Sequence, residues 1–120
     1  KIYSKEILKL VNKNLINASA HITGGGLVEN LIRSVPEKLS VEIDLSKIKI
    51  KEIFKWIKKA NISDNEMLKT FNCGVGFCLI LPKKNVKKVV KFFHKDYLPY
   101  EIGKITSSPK KINLLRFLQW

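Results

Sequence analysis

The alternation of apolar and polar positions changes period several times along the chain, and each change marks an element. Ile7, Leu8, Val11 and Leu15 recur at helical spacing, with Lys5, Lys9 and Lys13 on the other side. Ser4 is placed to cap this helix, and Glu6 lies in its first turn, where the positive end of the helix dipole favours a carboxylate. From Ala18 the period drops to two. Ala18, Ala20 and Ile22 share one face, and Ser19, His21 and Thr23 the other, until the chain runs into Gly24-Gly25-Gly26. Leu27, Leu31 and Val35 then predict a short helix closed by Pro36. Val41, Ile43 and Leu45 alternate with Glu42 and Asp44 as a strand with one wet face.

Ile50, Ile53, Phe54 and Ile57 predict an amphipathic helix whose lysines lie off the apolar stripe, with Trp56 packed at its margin. Ser63-Asp64-Asn65-Glu66 has the form of a capping box, so a helix carrying Met67, Leu68 and Phe71 inward follows it. Val75 to Leu81 is apolar almost throughout, as in a central strand covered on both faces, and Pro82 ends it. Val86, Val89, Val90 and Phe93 define a further helix, with lysines over its other sides. Tyr100 to Ser107 reads as a strand with Gly103 as a bulge, and Ile112 to Trp120 as a last strand. The predicted order is helix, strand, helix, strand, helix, helix, strand, helix, strand, strand. Helices and strands interleave without a strict βαβ period, which predicts an α+β fold, a layered α/β sandwich with a mixed sheet.

Length and charge narrow this picture. A chain of 120 residues, 45% hydrophobic, is expected to be a single domain over residues 1–120. No apolar run follows the charged residues near Lys1, so no signal peptide is read there. No stretch approaches the roughly 20 apolar residues of a membrane helix. The net charge of +13 raises the question of a polyanionic partner. The arginines are Arg33 and Arg116 alone, and the excess of Lys, Ile and Asn has the look of compositional drift. Cys73 and Cys78 form no CxxC pair, and no second pair completes a zinc site, so no metal site is read. Reduced thiols fit a cytoplasmic protein. His94 has no partner at metal-ligand spacing.

The chemistry gathers at the glycines. Gly24, Gly25 and Gly26 cost backbone entropy and are expected where φ is positive or where something approaches the main chain. A strand leading into glycines and then a helix start is a recurrent phosphate cradle, although a plain tight turn has the same composition. His21 and Thr23 project together at the lip of this loop, or else form an ordinary solvated strand face. Further on, Gly74 and Gly76 bare one face of a strand, which admits either a ligand or a neighbouring strand.

Two stretches together carry a resemblance. His21-Ile22-Thr23-Gly24-Gly25-Gly26, continuing through Glu29-Asn30-Leu31 to Arg33 and Pro36, resembles the glycine motif of phosphoribosylformylglycinamidine cyclo-ligase, the aminoimidazole ribonucleotide synthetase. Phe71-Asn72-Cys73-Gly74-Val75-Gly76 resembles that family's second motif. The departures are apolar exchanges: Phe77 for Met, and Leu27 for a bulkier aromatic.

The resemblance implies the carboxy-terminal domain of an ATP-dependent enzyme of de novo purine synthesis. That enzyme closes the imidazole ring of formylglycinamidine ribonucleotide. ATP phosphorylates an amide oxygen, a nitrogen attacks the activated carbon, and phosphate leaves. It implies His21 and Thr23 as catalytic residues, and Gly24, Gly25, Gly26, Asn30, Asn72, Gly74 and Gly76 as substrate- or phosphate-binding. It further implies an amino-terminal half, not in this sequence, that supplies the homodimer interface and most of the site for ATP and Mg2+. The partners are then a small nucleotide substrate and that half, with no nucleic acid and no membrane. The alternatives are a sister enzyme of the same superfamily, of the formylglycinamidine ribonucleotide synthetase or selenophosphate synthetase type, or a lysine-rich nucleic-acid-binding module.

Overall fold

The computed structural model describes residues 2–109 and 111–120. The elements follow the predicted order: α1 (Ser4–Asn12), β1 (Ala18–His21), α2 (Gly26–Arg33), β2 (Ser40–Asp44), α3 (Glu52–Lys58), α4 (Asp64–Thr70), β3 (Phe77–Ile80), α5 (Val86–Val90), β4 (Gly103–Thr106) and β5 (Ile112–Leu115). The chain is α+β, with two small sheets among the described residues. β1 pairs antiparallel with β3. β2 lies between β4, antiparallel to it, and β5, parallel to it, so this second sheet is mixed.

The connection from β4 to β5 passes over the start of β2 and is tied there. The buried Ser40 hydroxyl donates to the Pro109 carbonyl (2.5 Å) and accepts from the Ser108 hydroxyl (2.7 Å). At the far end of β2, the Asp44 carboxylate accepts from the Ser46 amide (3.1 Å) and hydroxyl (2.6 Å) and from the Arg116 guanidinium (2.5 Å).

Two apolar clusters hold the elements together. The larger gathers Ala20 of β1 and Ile22 just after it, Leu27, Leu31 and Val35 of the α2 region, and Val41, Ile43 and Leu45 of the β2 region. These are the periodic positions that the sequence predicts to point inward. The smaller joins Leu10 of α1, Leu15 and Val89 of α5. β3 spans both: Cys78 and Ile80 enter the larger cluster, Leu79 and Leu81 the smaller. Its unbroken apolar run therefore has two covered faces, as predicted, yet it is not central, because its described ladder is to β1 alone.

Other expectations are corrected. Ser4 does not cap α1; it lies inside the helix, and Tyr3 occupies the cap position without a side-chain bond. Leu10 is fully buried, whereas Leu8 and Val11 are largely exposed. Apolar residues occupy several sides of α1, and packing against Val89 selects Leu10. Ile53 and Trp56 of α3 also face outward, so Trp56 is not packed at a margin. Gly103 is not a bulge. It stands in regular register opposite Ile43, and a side chain there would strike the Glu42 carbonyl. The last strand ends at Leu115, after which Arg116 turns with φ +62° and Leu118 is buried. The Ser63 cap is present as expected, its hydroxyl accepting from the Glu66 amide (3.2 Å).

Helices α2 and α4 meet backbone to backbone. Gly26 is buried with φ +62°, and a Cβ there would collide with the Leu68 carbonyl of α4. Gly26→Ala should therefore cost on the order of 3 kcal/mol in a urea melt, combining left-handed strain with overpacking. Gly24→Ala, whose Cβ meets nothing within 4 Å, should cost less than about 1 kcal/mol.

The Ser46 hydroxyl bond, and then the Arg116 guanidinium, hold the Asp44 carboxyl below its ordinary value of 3.8. A depressed value in the folded state means that this contribution to stability is fully present above the ordinary aspartate range. It is lost as pH falls through the lowered folded value. Asp44→Asn should flatten the fall of melting temperature with pH below about 4; an unchanged acid limb would show that this carboxylate does not contribute.

Candidate functional site

The glycine turn joins β1 to α2. The Gly26 amide donates to the Thr23 carbonyl (3.0 Å), which closes the turn. Gly25 sits at the N-cap of α2 with φ +89°, a conformation that favours glycine. Gly24 is exposed and opens onto empty space. Among the described residues, no main-chain hydrogen bond uses the Gly24 or Gly25 amide. The expected set of three glycine donors is thus reduced to Gly24 and Gly25. Gly26 is required for its close approach to α4, and its N–H is already engaged.

The Asn30 carboxamide nitrogen lies under the turn, donating to the carbonyls of Gly26 (2.7 Å), Gly24 (3.0 Å) and, more weakly, Thr23 (3.5 Å). Glu29, one helical turn beyond Gly25, reaches back over it. A Cβ on Gly25 would stand 2.5 Å from Glu29 Oε2. The carboxylate is paired with Arg33 at 3.6 Å. Helical side chains point toward their own N-terminus, so the i+4 spacing from Gly25 carries the signal for Glu29, which the sequence reading passed over.

The second motif stands beside the first, which the sequence alone does not establish. The Ile22 amide donates to the Gly76 carbonyl (3.1 Å), extending the ladder that sets His21 opposite Phe77. The Asn72 side-chain oxygen accepts from the Gly74 amide (3.0 Å), and the Asn72 carbonyl from Val75 (2.8 Å), a compact turn at the exit of α4. The protein itself accounts for both of these glycines. Gly74 has φ +104° with the Lys49 carbonyl 2.6 Å from where a Cβ would stand, and the Tyr3 hydroxyl fills the corresponding space at Gly76. Of the readings open for Gly74 and Gly76, close approach within the chain is the one the contacts support.

His21, the last residue of β1, and Thr23, which enters the turn, are both exposed. The His21 ring stacks on Phe77 (centroids 5.7 Å apart, 26° between planes) and meets the edge of Tyr3 at 6.3 Å. These contacts fix the direction of the imidazole at one wall of an open apolar depression shared with Ile2, Ile7 and Leu8. Tyr3 was not singled out from sequence, because its contacts come from folding α1 across β3.

The turn offers unpaired amides, a hydroxyl and an imidazole, which suit an anion and a proton transfer. Among the described residues, no three His, Cys, Asp or Glu side chains gather in one place. Burial pushes the Cys73 thiol up to about 11 and Cys78 up to about 12, so both stay protonated at neutral pH and serve as core.

The model of the family described as "AIR synthase related protein, C-terminal domain" matches residues 1–113. The chain is 41% identical to the trifunctional purine biosynthetic protein adenosine-3 of Gallus gallus, over 99% of this chain and 13% of that protein. It is 40% identical to the phosphoribosylformylglycinamidine cyclo-ligase of Lactobacillus helveticus, over 91% of this chain and 32% of that one. To the cyclo-ligase of Staphylococcus epidermidis it is 43% identical, over 88% and 31%. The chain therefore spans a third or less of the length of these relatives. With a family match running through both glycine motifs, the chain belongs to the family of AIR synthase related proteins, as its C-terminal domain.

Proposed function

We propose that this chain is the carboxy-terminal part of an ATP-dependent phosphoribosylformylglycinamidine cyclo-ligase. Such an enzyme closes the imidazole ring of formylglycinamidine ribonucleotide in purine biosynthesis. The observation that carries this reading is the Gly24–Gly25 turn, with two unengaged amides at the positive end of α2 and the second motif bonded beside it. The similarity to cyclo-ligases at 40% and 43% identity supports the assignment.

In this reading the Gly24 and Gly25 amides hold a phosphoryl or phosphate oxygen as charge develops on it. The Thr23 hydroxyl adds a donor at the same lip. His21, oriented by Phe77 and Tyr3, handles a proton as the nitrogen attacks the activated carbon and phosphate departs. Asn72 and Gly74 shape the neighbouring wall. ATP supplies the phosphoryl group that activates the amide oxygen. In this reading an amino-terminal half would supply most of the site for ATP and Mg2+ and the homodimer interface. We read the two small sheets and the helices of this chain as a layered α/β sandwich. Among the described residues no helix is long and apolar enough to cross a membrane. The nucleic-acid-binding module stays the alternative: Arg33 and Arg116 each pair with a carboxylate of the chain, while the net charge of +13 rests mainly on lysines.

The full-length protein should restore growth without purines to cells lacking their cyclo-ligase, whereas this chain alone should give no turnover with ATP and substrate. Turnover by the isolated chain at the rate of the intact enzyme would refute the division of the site. In the full-length protein, Gly25→Val should lower kcat/KM on the order of 100-fold. The left-handed turn cannot accommodate a β-branched side chain without moving its amides. Wild-type kinetics with a retained cooperative melt would remove the turn from the mechanism.

A further inference from the structure

Asn30 presents a nitrogen, with two hydrogens, to three main-chain oxygens, those of Thr23, Gly24 and Gly26. Three acceptors converging on one end of the side chain also fix which end is the NH2 group. Resting on the cyclo-ligase reading above, we propose that Asn30 is a positioning residue and not a ligand: by gathering these carbonyls on one side, it turns the Gly24 and Gly25 amides outward to the phosphoryl oxygen.

The argument is geometric. In a trans peptide the C=O and N–H lie in one plane and point in opposite directions, and no peptide in the described chain is cis. The Thr23 carbonyl and the Gly24 N–H share one plane; the Gly24 carbonyl and the Gly25 N–H share the next. Both carbonyls face the Asn30 nitrogen, so both N–H groups face away from it. Neither has a main-chain acceptor among the described residues, and the Gly24 side is open. Gly24 and Gly25 have no Cβ to hold their peptide planes, so without an anchor the Gly24–Gly25 plane rotates at little cost. Rotation would present a carbonyl oxygen, and repulsion, where an amide is needed. The Gly26-to-Thr23 bond (3.0 Å) closes the turn but does not touch the Gly24 carbonyl. Asn30 supplies that contact.

The test uses the full-length protein with Asn30→Ala and Asn30→Asp, the second keeping the shape while replacing the donor with an acceptor. Steady-state kinetics, inhibition by inorganic phosphate and the thermal melt are measured together. Both variants should show an inhibition constant for phosphate raised at least tenfold and a correspondingly lower kcat/KM, with a cooperative melt. A merely structural lesion would reduce the active fraction and leave KM and the phosphate constant unchanged, which would overturn the inference. Wild-type values in Asn30→Asp would overturn it too, by showing that shape suffices. If Asn30→Ala does not fold, Asn30→Ser, whose hydroxyl is too short to reach the Gly24 carbonyl, is read by the same criteria. A wild-type protein with no ring-closing turnover would overturn the functional reading and this inference with it. An active wild type with unaffected variants would overturn the role of Asn30 alone.

Discussion

The first turn of α2 lies so close to the Leu68 carbonyl of α4 that only hydrogen fits at the Cα of Gly26. That approach fixes where the positive end of α2 sits. It also ties the glycine turn to the second motif by a closed path through the chain. α4 leads through the Asn72 turn to Gly76, whose carbonyl accepts from Ile22, the residue that enters the glycine turn from β1. These contacts hold the two ends of the turn, at Ile22 and Gly26, against the elements around it, and leave the Gly24–Gly25 peptide plane to be held by Asn30. Were two amides of this loop to hold an anion at hydrogen-bond distance, their positions would have to be fixed to within a few tenths of an ångström, and contacts of this kind supply such support.

Much of this was legible in the sequence, for a physical reason. Leu27, Leu31 and Val35, like Val41, Ile43 and Leu45, each face one core, and a single apolar stripe reports its own period. The reading failed where an element meets solvent or cores on more than one side. α1 carries apolar residues on several sides, so its period could not choose Leu10 over Leu8 or Val11; only packing against α5 does. β3 divides alternate residues between two clusters, and its continuous apolar run therefore looked like a central strand.

The candidate site shows the same division. The exposure of His21 and Thr23 was legible because strand alternation is local. The glycines could be recognised but not sorted by role. Gly26 and Gly103 answer to backbone atoms distant in sequence, Gly76 to the Tyr3 hydroxyl, and Gly24 alone opens onto free space. No local pattern distinguishes a glycine that admits a ligand from one that admits a neighbouring carbonyl. The charge was equally ambiguous. Many of the lysines that raise it to +13 lie on exposed helix faces, while both arginines pair at the surface with carboxylates of the chain.

The most direct measurement is a crystal structure of the full-length protein with formylglycinamidine ribonucleotide and a non-hydrolysable ATP analogue. This account predicts a phosphate or phosphoryl oxygen about 2.7–3.1 Å from both the Gly24 and Gly25 nitrogens, with the Asn30 side chain still beneath the turn. Phosphate groups bound elsewhere, with those two amides facing only water, would contradict it.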